Sequence, residues 1–343
     1  MSGMAEETKE VKAPPRRFDA GAFLFSETGR LAVITVLIFV AMALLAPGGR
    51  FVSGANLSSM AFQFPEFAIL ALAMMLAMLT GGIDLSIIGI ANLSAIAAAL
   101  VLSSLFGTQA VGADAGLAVA LAIVAALAVG LAAGVANGIV IGVFGLPPIL
   151  ATLGTGLMFT GLAVAITGGS AVIGFPAAFA TLGNGAVFGV PVPLIIFAVL
   201  AAAVAVVLNR TAFGLKVQML GTNPLAARFA GVDDLAVTLR TYIISGGLAA
   251  VAGLVIMSRA NSAKADYGAS YLLLSILICV LGGINPYGGF GRVAGLVLAV
   301  LSLQFLSSGL NMLQVSNFAR ELIWGALLLL VMVVNGFGFR RSR

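Results

Sequence analysis

An all-α polytopic membrane protein with about ten transmembrane helices, some of them discontinuous, is the fold class this sequence predicts. Three observations predict it. Hydrophobic residues make up 61% of the 343 and charged residues only 8%, with a mean hydropathy of +1.18. A soluble domain carries about a quarter charged residues and cannot hide that much apolar surface. The 43 glycines suit the same class, because small residues let membrane helices approach closely where lipid is as apolar as they are. The apolar residues also fall into runs close to the ~20 needed to cross a bilayer.

With Pro, Gly and charged residues read as punctuation, the elements follow in order. Residues 1–30 are polar and mixed in charge, a flexible cytoplasmic tail or a surface helix. The apolar domain, 31–337, opens with "LAVITVLIFVAMALLA" at 31–46. That run is too long for a removable signal peptide and lacks its cleavage site, so it reads as a retained helix. The second span, 61–80, stops at Gly81 and Gly82, and the third covers 84–106. The fourth is 116–138, and the fifth, 148–167, is interrupted by polar and small residues. A loop at 168–190, with Pro176, reads either as a lid or docking ledge or as a plain connection; Pro191 lies just past it, at the start of the sixth span, 190–208. A polar segment at 209–238 separates this from the seventh span at 239–258. The eighth, 269–283, is short; 292–312 and 319–337 complete the ten, and 338–343 is a basic tail.

Orientation follows from Lys and Arg alone. Ten spans with a cytoplasmic amino terminus place Lys9, Lys12, Arg16, Arg17 and Arg30 inside, with Arg210, Lys216, Arg228, Arg240, Arg292, Arg340, Arg341 and Arg343. Only Arg50, Arg259, Lys264 and Arg320 fall outside. Both termini are therefore expected in the cytoplasm. From Phe51 to Asn209 there is no Lys or Arg, and there the even span count carries the argument.

Composition also narrows the chemistry. There is no histidine, the commonest metal ligand and general base, and Cys279 stands alone in an apolar run. No metal site, no cofactor and no catalytic residue is expected. The pI near 9.8 comes from dispersed basic residues, which read as topology signals rather than a nucleic-acid surface.

Two inside connections look alike: "GGID" at Gly81 to Asp84, and "GGIN" at Gly282 to Asn285, which continues "PYGGFGR". Gly pairs let the backbone break at depth, which is tolerated only against protein or a water-filled cavity, and the Asp or Asn that follows can cap the next helix. Broken helices of this kind line transport paths. Asp84 therefore has two readings. At a helix start its oxygens accept backbone N–H bonds and meet the positive dipole end; alternatively it serves the pore or a gate.

The segment 209–240 contains a short helix marked at both ends. Asn223 suits the N-cap, Pro224 the first helical position and Gly231 the left-handed residue past the end. The two turns between, "PLAARFA", offer Ala226, Ala227 and Phe229 for packing. A helix that short is not stable alone, so it rests either on its own protein or on a cytoplasmic partner.

The chain resembles the inner-membrane permeases of bacterial ATP-binding-cassette importers in the family serving ribose, xylose, galactose and related sugars, including autoinducer 2. The matching pieces are "LTGGIDLS" from Leu79, "NGIVIGVFGLPPILATLGT" from Asn137, "ITGGSAVIGFPAAF" from Ile166, "GLKVQMLGTNPLAARFAGV" from Gly214 and "VLGGINPYGGFGRVAG" from Val280. The resemblance implies a ten-helix importer subunit paired with a second permease copy or paralogue, a cytoplasmic ATPase and a periplasmic substrate-binding protein. It also implies that a coupling helix seats in the ATPase, with Gly221, Asn223, Pro224, Ala226, Ala227 and Gly231 at the matching position. The sequence carries no GxxxxGK[ST] phosphate loop, so ATP hydrolysis is expected from the partner and not from this chain.

After "GGIDLS" the family commonly continues Val-Gly-Ser, whereas Ile87, Ile88 and Gly89 follow here, and Asn92 takes a position often held by a small apolar residue. A neutral polyol path needs amides and hydroxyls that exchange hydrogen bonds without holding the solute tightly. Asp84, Asn92, Asn137, Thr152 and Thr155 are the candidates, with bonding between helices as the alternative role. Glu66 and Glu321 lie near span starts, at dipole or interfacial positions. The alternatives to a sugar importer are a related permease for nucleosides or branched-chain amino acids, or an ion-coupled transporter using Asp84, Glu66 or Glu321.

Overall fold

The computed structural model describes residues 26–106 and 113–341. Most of the expected amino-terminal tail, with Lys9, Lys12, Arg16 and Arg17, lies outside the described residues, as does Arg343. In chain order the helices are α1 (Glu27–Leu45), α2 (Gly54–Leu79), α3 (Ile87–Val101), α4 (Ala113–Gly142), α5 (Pro148–Thr167), α6 (Ala177–Asn184) and α7 (Val192–Arg210). They continue with α8 (Ala212–Thr222), α9 (Pro224–Phe229), α10 (Asp234–Ala260), α11 (Tyr271–Leu281), α12 (Val293–Met312) and α13 (Asn317–Arg341). Four two-residue strands are β1 (Val172–Ile173), β2 (Ala186–Val187), β3 (Val190–Pro191) and β4 (Ser262–Ala263).

Each of the ten apolar runs is helical, and among the described residues eight helices are long and apolar enough to cross a membrane. The remaining two positions are held by α11, which has only 11 residues, and by α13. The boundaries move outward where a cap outlasts the apolar run. Ser53 Oγ accepts from the Asn56 amide at 3.3 Å and starts α2 ahead of the expected 61. Asp233 Oδ1 accepts from the Ala236 amide at 3.0 Å and starts α10 at Asp234 instead of 239. Charge does not stop a helix that emerges from the bilayer; the 27 residues of α10 span about 40 Å, more than the ~30 Å of hydrocarbon.

The buried centre is α2 from Phe64 to Leu79 and α10 from Leu248 to Ser258. Around them α4 and α3 pack on α10, α7 and α11 pack on α2, α5 packs on α3, and α1 lies against α12. The α4–α10 contact is made almost without side chains on one face. Gly130, Gly134, Gly138 and Gly142 recur every four residues, and a Cβ on any of them would strike α10, at Gly246, Tyr242, Leu239 and Leu235 respectively. This is the small-residue packing that brings membrane helices into backbone contact.

The two ends of the molecule differ. At one, α8 and α9 form the connection between α7 and α10. At the other, β1 pairs antiparallel with β4, Val172 opposite Ala263, and α6 lies against the last turn of α10. There Ser258 Oγ accepts from the Gly183 amide at 2.8 Å and donates to the Phe179 carbonyl at 2.7 Å.

Candidate functional site

Four of the five candidate path residues converge where α2 gives way to α3. Leu79 ends α2, Gly81 turns the chain with φ +84°, and Asp84 is fully buried beyond it. Asp84 Oδ1 accepts from the Ser86 amide at 3.0 Å and the Ser86 hydroxyl at 2.6 Å, and Oδ2 accepts from the Ser245 hydroxyl of α10 at 2.9 Å. Ser86 Oγ in turn accepts from Asn137 Nδ2 of α4 at 2.7 Å, and Thr155 Oγ1 of α5 donates to Asn137 Oδ1 at 2.6 Å. Beside this chain, Thr152 Oγ1 accepts from the Leu85 amide at 2.9 Å and donates to the Pro148 carbonyl at 2.8 Å. Three spanning helices and the start of a fourth are thus tied to one buried carboxylate, whose hydrogen-bond partners are all neutral.

Asp84 is not the N-cap of α3. The cap position is Ser86, whose side chain makes no capping bond, and Asp84 meets the amide two residues on, an Asx turn that ends short of the helix. Asn285 does the same: its Oδ1 accepts from the Tyr287 amide at 3.2 Å, and α12 begins later, after Arg292. The echo between "GGID" and "GGIN" is therefore a shared turn, and the structure places the two turns together. The Gly289 amide donates to the Leu79 carbonyl at 3.0 Å, and a Cβ on Gly288 would meet the Gly81 amide.

The coupling candidates adjoin this junction. A Cβ on Gly221, at the end of α8, would run into the Leu79 carbonyl and the Gly289 amide, so its role is close approach to the turns. Asn223 Oδ1 accepts from the Ala226 amide at 3.0 Å with Pro224 at the first helical position. Gly231 has φ +76°, and the Val232 amide returns to the Ala227 carbonyl at 3.0 Å, closing α9 as a left-handed C-cap. Ala227 is buried and Ala226 exposed. Arg228 Nε donates to Asp234 Oδ2 at 2.8 Å, holding α9 to the start of α10. Leu225 and Phe229 point outward, 63% and 86% exposed.

Asn92 stands apart from the Asp84 cluster. Its Nδ2 donates to the carbonyls of Ala265 and Tyr267, each at 2.9 Å. The neighbouring Ala91 carbonyl abuts Gly253, seven residues and about 10 Å short of the end of α10. The chain after β4 therefore turns back into the protein before α11 begins, which explains why α11 spans only about 16 Å. Irregular backbone at that depth is tolerated against protein or a water-filled cavity, and Lys264 and Asp266, paired at 2.9 Å, remain solvent-exposed on it. Beside it Arg259 Nη1 pairs with Glu66 Oε1 at 3.1 Å, and the Tyr271 hydroxyl donates to Glu66 Oε2 at 2.9 Å. Glu321 is exposed near the start of α13.

Sequence reasoning does not find this second polar centre, although the run "NSAKADYGAS" from Asn261 beside a short eighth span marks it. Nor does it find α6, α8 or the α4 glycine row, whose four-residue spacing is visible in "GLAAGVANGIVIG" from Gly130. Among the described residues no group of His, Cys, Asp or Glu is arranged to hold a metal.

Residues 56–332 match a family described as the permease component of the branched-chain amino acid transport system. The chain is 32% identical over 318 residues to the autoinducer 2 import system permease protein LsrD of Enterobacter sp. (strain 638), covering 90% of this chain and 94% of that protein. It is 33% identical over 285 residues to the protein of the same name from Yersinia pseudotuberculosis (strain IP 31758), covering 81% and 82%. No solved structure matches the chain significantly.

Proposed function

This chain belongs to the branched-chain amino acid transport permease family, and from that premise we propose that it carries a sugar-like solute of the autoinducer 2 class inward, on ATP hydrolysed by a partner. It is a multi-pass inner-membrane transport subunit of an ATP-binding-cassette importer and not an enzyme. The solute class rests on the relatives' names; the coupling assignment rests on one observation. A six-residue helix, α9, is fixed by a cap at each end and an ion pair, yet presents Leu225 and Phe229 to the outside. A helix that short holds its shape only through what it packs on, and an apolar pair displayed on rigid backbone is a docking feature.

The end carrying α8 and α9 is then cytoplasmic, in keeping with Arg210, Lys216, Arg228 and Arg240 there, and both termini lie on that side. The ATPase bears on α9. Motion passes through α8 to the Gly221–Leu79–Gly289 contact and so to the Asp84 junction, which joins α3, α4, α5 and α10. The substrate-binding protein docks at the opposite end, on the α6 side. Solute enters by the turned-back segment at Lys264 and Asp266, and Asn92 and the Asp84 cluster hold the walls of its path. The second permease lies against α5, where Leu153 and Leu157 are exposed and a Cβ on Gly154 or Gly161 would meet nothing within 4 Å.

The test is reconstitution with the ATPase and the solute-binding protein in proteoliposomes. Solute-loaded receptor should stimulate ATP hydrolysis, and uptake should require all components. Uptake by this chain alone along an ion gradient, without ATP, would overturn the proposal.

A further inference from the structure

Among the described residues three buried side-chain polar atoms have no hydrogen-bond partner: the hydroxyls of Ser94, Tyr242 and Ser275. A helical serine can turn its hydroxyl to the carbonyl four residues back, so the two serines have a remedy at hand. Tyr242 has none, because its oxygen sits at the far end of a rigid ring, and the residue is only 1% exposed. Native proteins seldom leave a buried donor unsatisfied, and one that persists asks for an account.

The position of the hydroxyl supplies one. It reaches the turn before α3, lying 2.8 Å from where a Cβ on Gly82 would stand, two residues before Asp84. Asp84 Oδ2 takes its bond instead from Ser245. Tyr242 and Ser245 are three residues apart on α10 and so are neighbours on one helix face. They are separated by about 4.5 Å along the axis and about 60° around it. The turn that holds Asp84 is thus reached by two hydroxyls of α10, and the carboxylate bonds that of Ser245.

The exchange takes a shift of α10 against α4. Where Tyr242 and Gly246 face α4 they meet the backbone of Gly134 and Gly130, with the Ala250 methyl beside Gly130 and Leu239 and Leu235 seated at Gly138 and Gly142. Shear between packed helices, up to a full turn, is an established mode of switching.

We propose that Asp84 exchanges Ser245 for Tyr242 when the permease changes its access state. Tyr242 is then a positioning residue of transport: it touches no solute, and it supplies the donor that holds the buried carboxylate in the second state. The inference rests on the reading of the chain as an ATP-driven permease.

Two conservative variants test it in the full complex reconstituted with ATPase and receptor. Tyr242→Phe removes the bond of one state and Ser245→Ala the bond of the other. Each should lower ATP-driven uptake about tenfold, the equilibrium equivalent of one hydrogen bond to a charged group. The fraction of complex trapped by ATP and vanadate should move in opposite directions in the two, by a similar factor, and Ser245→Thr should restore the parent behaviour. A structural role alone would move both the same way. The inference is overturned if Tyr242→Phe transports within twofold of the parent, or if both variants shift the trapped fraction in one direction. A parent complex that neither hydrolyses ATP in response to loaded receptor nor transports would instead remove the underlying reading of the function.

Discussion

An ionised aspartate at the middle of a spanning helix costs roughly 2.5 to 3.5 kcal/mol on insertion scales, and Asp84 avoids that by standing in a turn with three donors. Its neighbours, not its charge alone, determine what a substitution does. Asp84→Asn keeps the shape: its amide oxygen can take the two Ser86 donors and its Nδ2 can face Ser245, whose hydroxyl reverses to accept, so assembly and much of the transport should survive. Asp84→Ala orphans Ser86, Ser245 and part of the Asn137 chain, at about 1 to 3 kcal/mol for each unsatisfied group. Thermal unfolding of the purified permease should rank parent, Asn and Ala in falling order, and an alanine variant as stable as the parent would contradict the cluster. The sequence singles out Asp84, Asn137, Thr152 and Thr155 as polar residues in apolar runs. That the four meet, and that Asn92 goes elsewhere, depends on contacts spanning 18 to 175 residues of sequence, which no local pattern encodes.

At the scale of elements, α9 is the piece most fully written in the chain. Its cap, its first-turn proline and its terminal glycine act within nine residues, so they are read without knowing the fold. Asn223→Ala should cost about 1 kcal/mol of helix stability, and combined with Gly231→Val should release the ATPase from a permease that still inserts. Co-purification of the ATPase with the double variant is the measurement, and unchanged ATPase association with unchanged uptake would show that another element couples. By contrast α8 has no such marks in its interior, and α11 shortens because the preceding chain is held inside the protein by Asn92. Both are set by what they pack on. The glycine row of α4 lies between these cases: its period is plain in the sequence, while its partner on α10 is a hundred residues away.

The molecule as a whole is two central helices, α2 and α10, sheathed by the rest, with different equipment at its two ends. One end carries the α9 helix and the paired glycine turns; the other carries the strands, α6 and the turned-back segment with Lys264 and Asp266. That polarity is what a solute pump driven from one side needs. The open glycine positions on α5 give a further expectation at this scale. A single cysteine at Gly154 or Gly161 should cross-link in the membrane to a second permease, since the native Cys279 is buried. A cross-linked homodimer or a link to a paralogue would each identify the mate, and labelling by lipid-phase reagents with no cross-link would place α5 against lipid.

What the sequence by itself determined is the membrane class, the order of ten apolar helices, the capped α9 and the family, because transfer of apolar residues into a bilayer and capping of helix ends are local free energies. What only the tertiary structure decided is which glycines meet which backbone, which hydroxyls Asp84 bonds, and how far the segment before α11 folds back. In a bilayer no hydrophobic force orders one helix against another, so those pairings come from close backbone contact and buried hydrogen bonds between residues far apart in the chain.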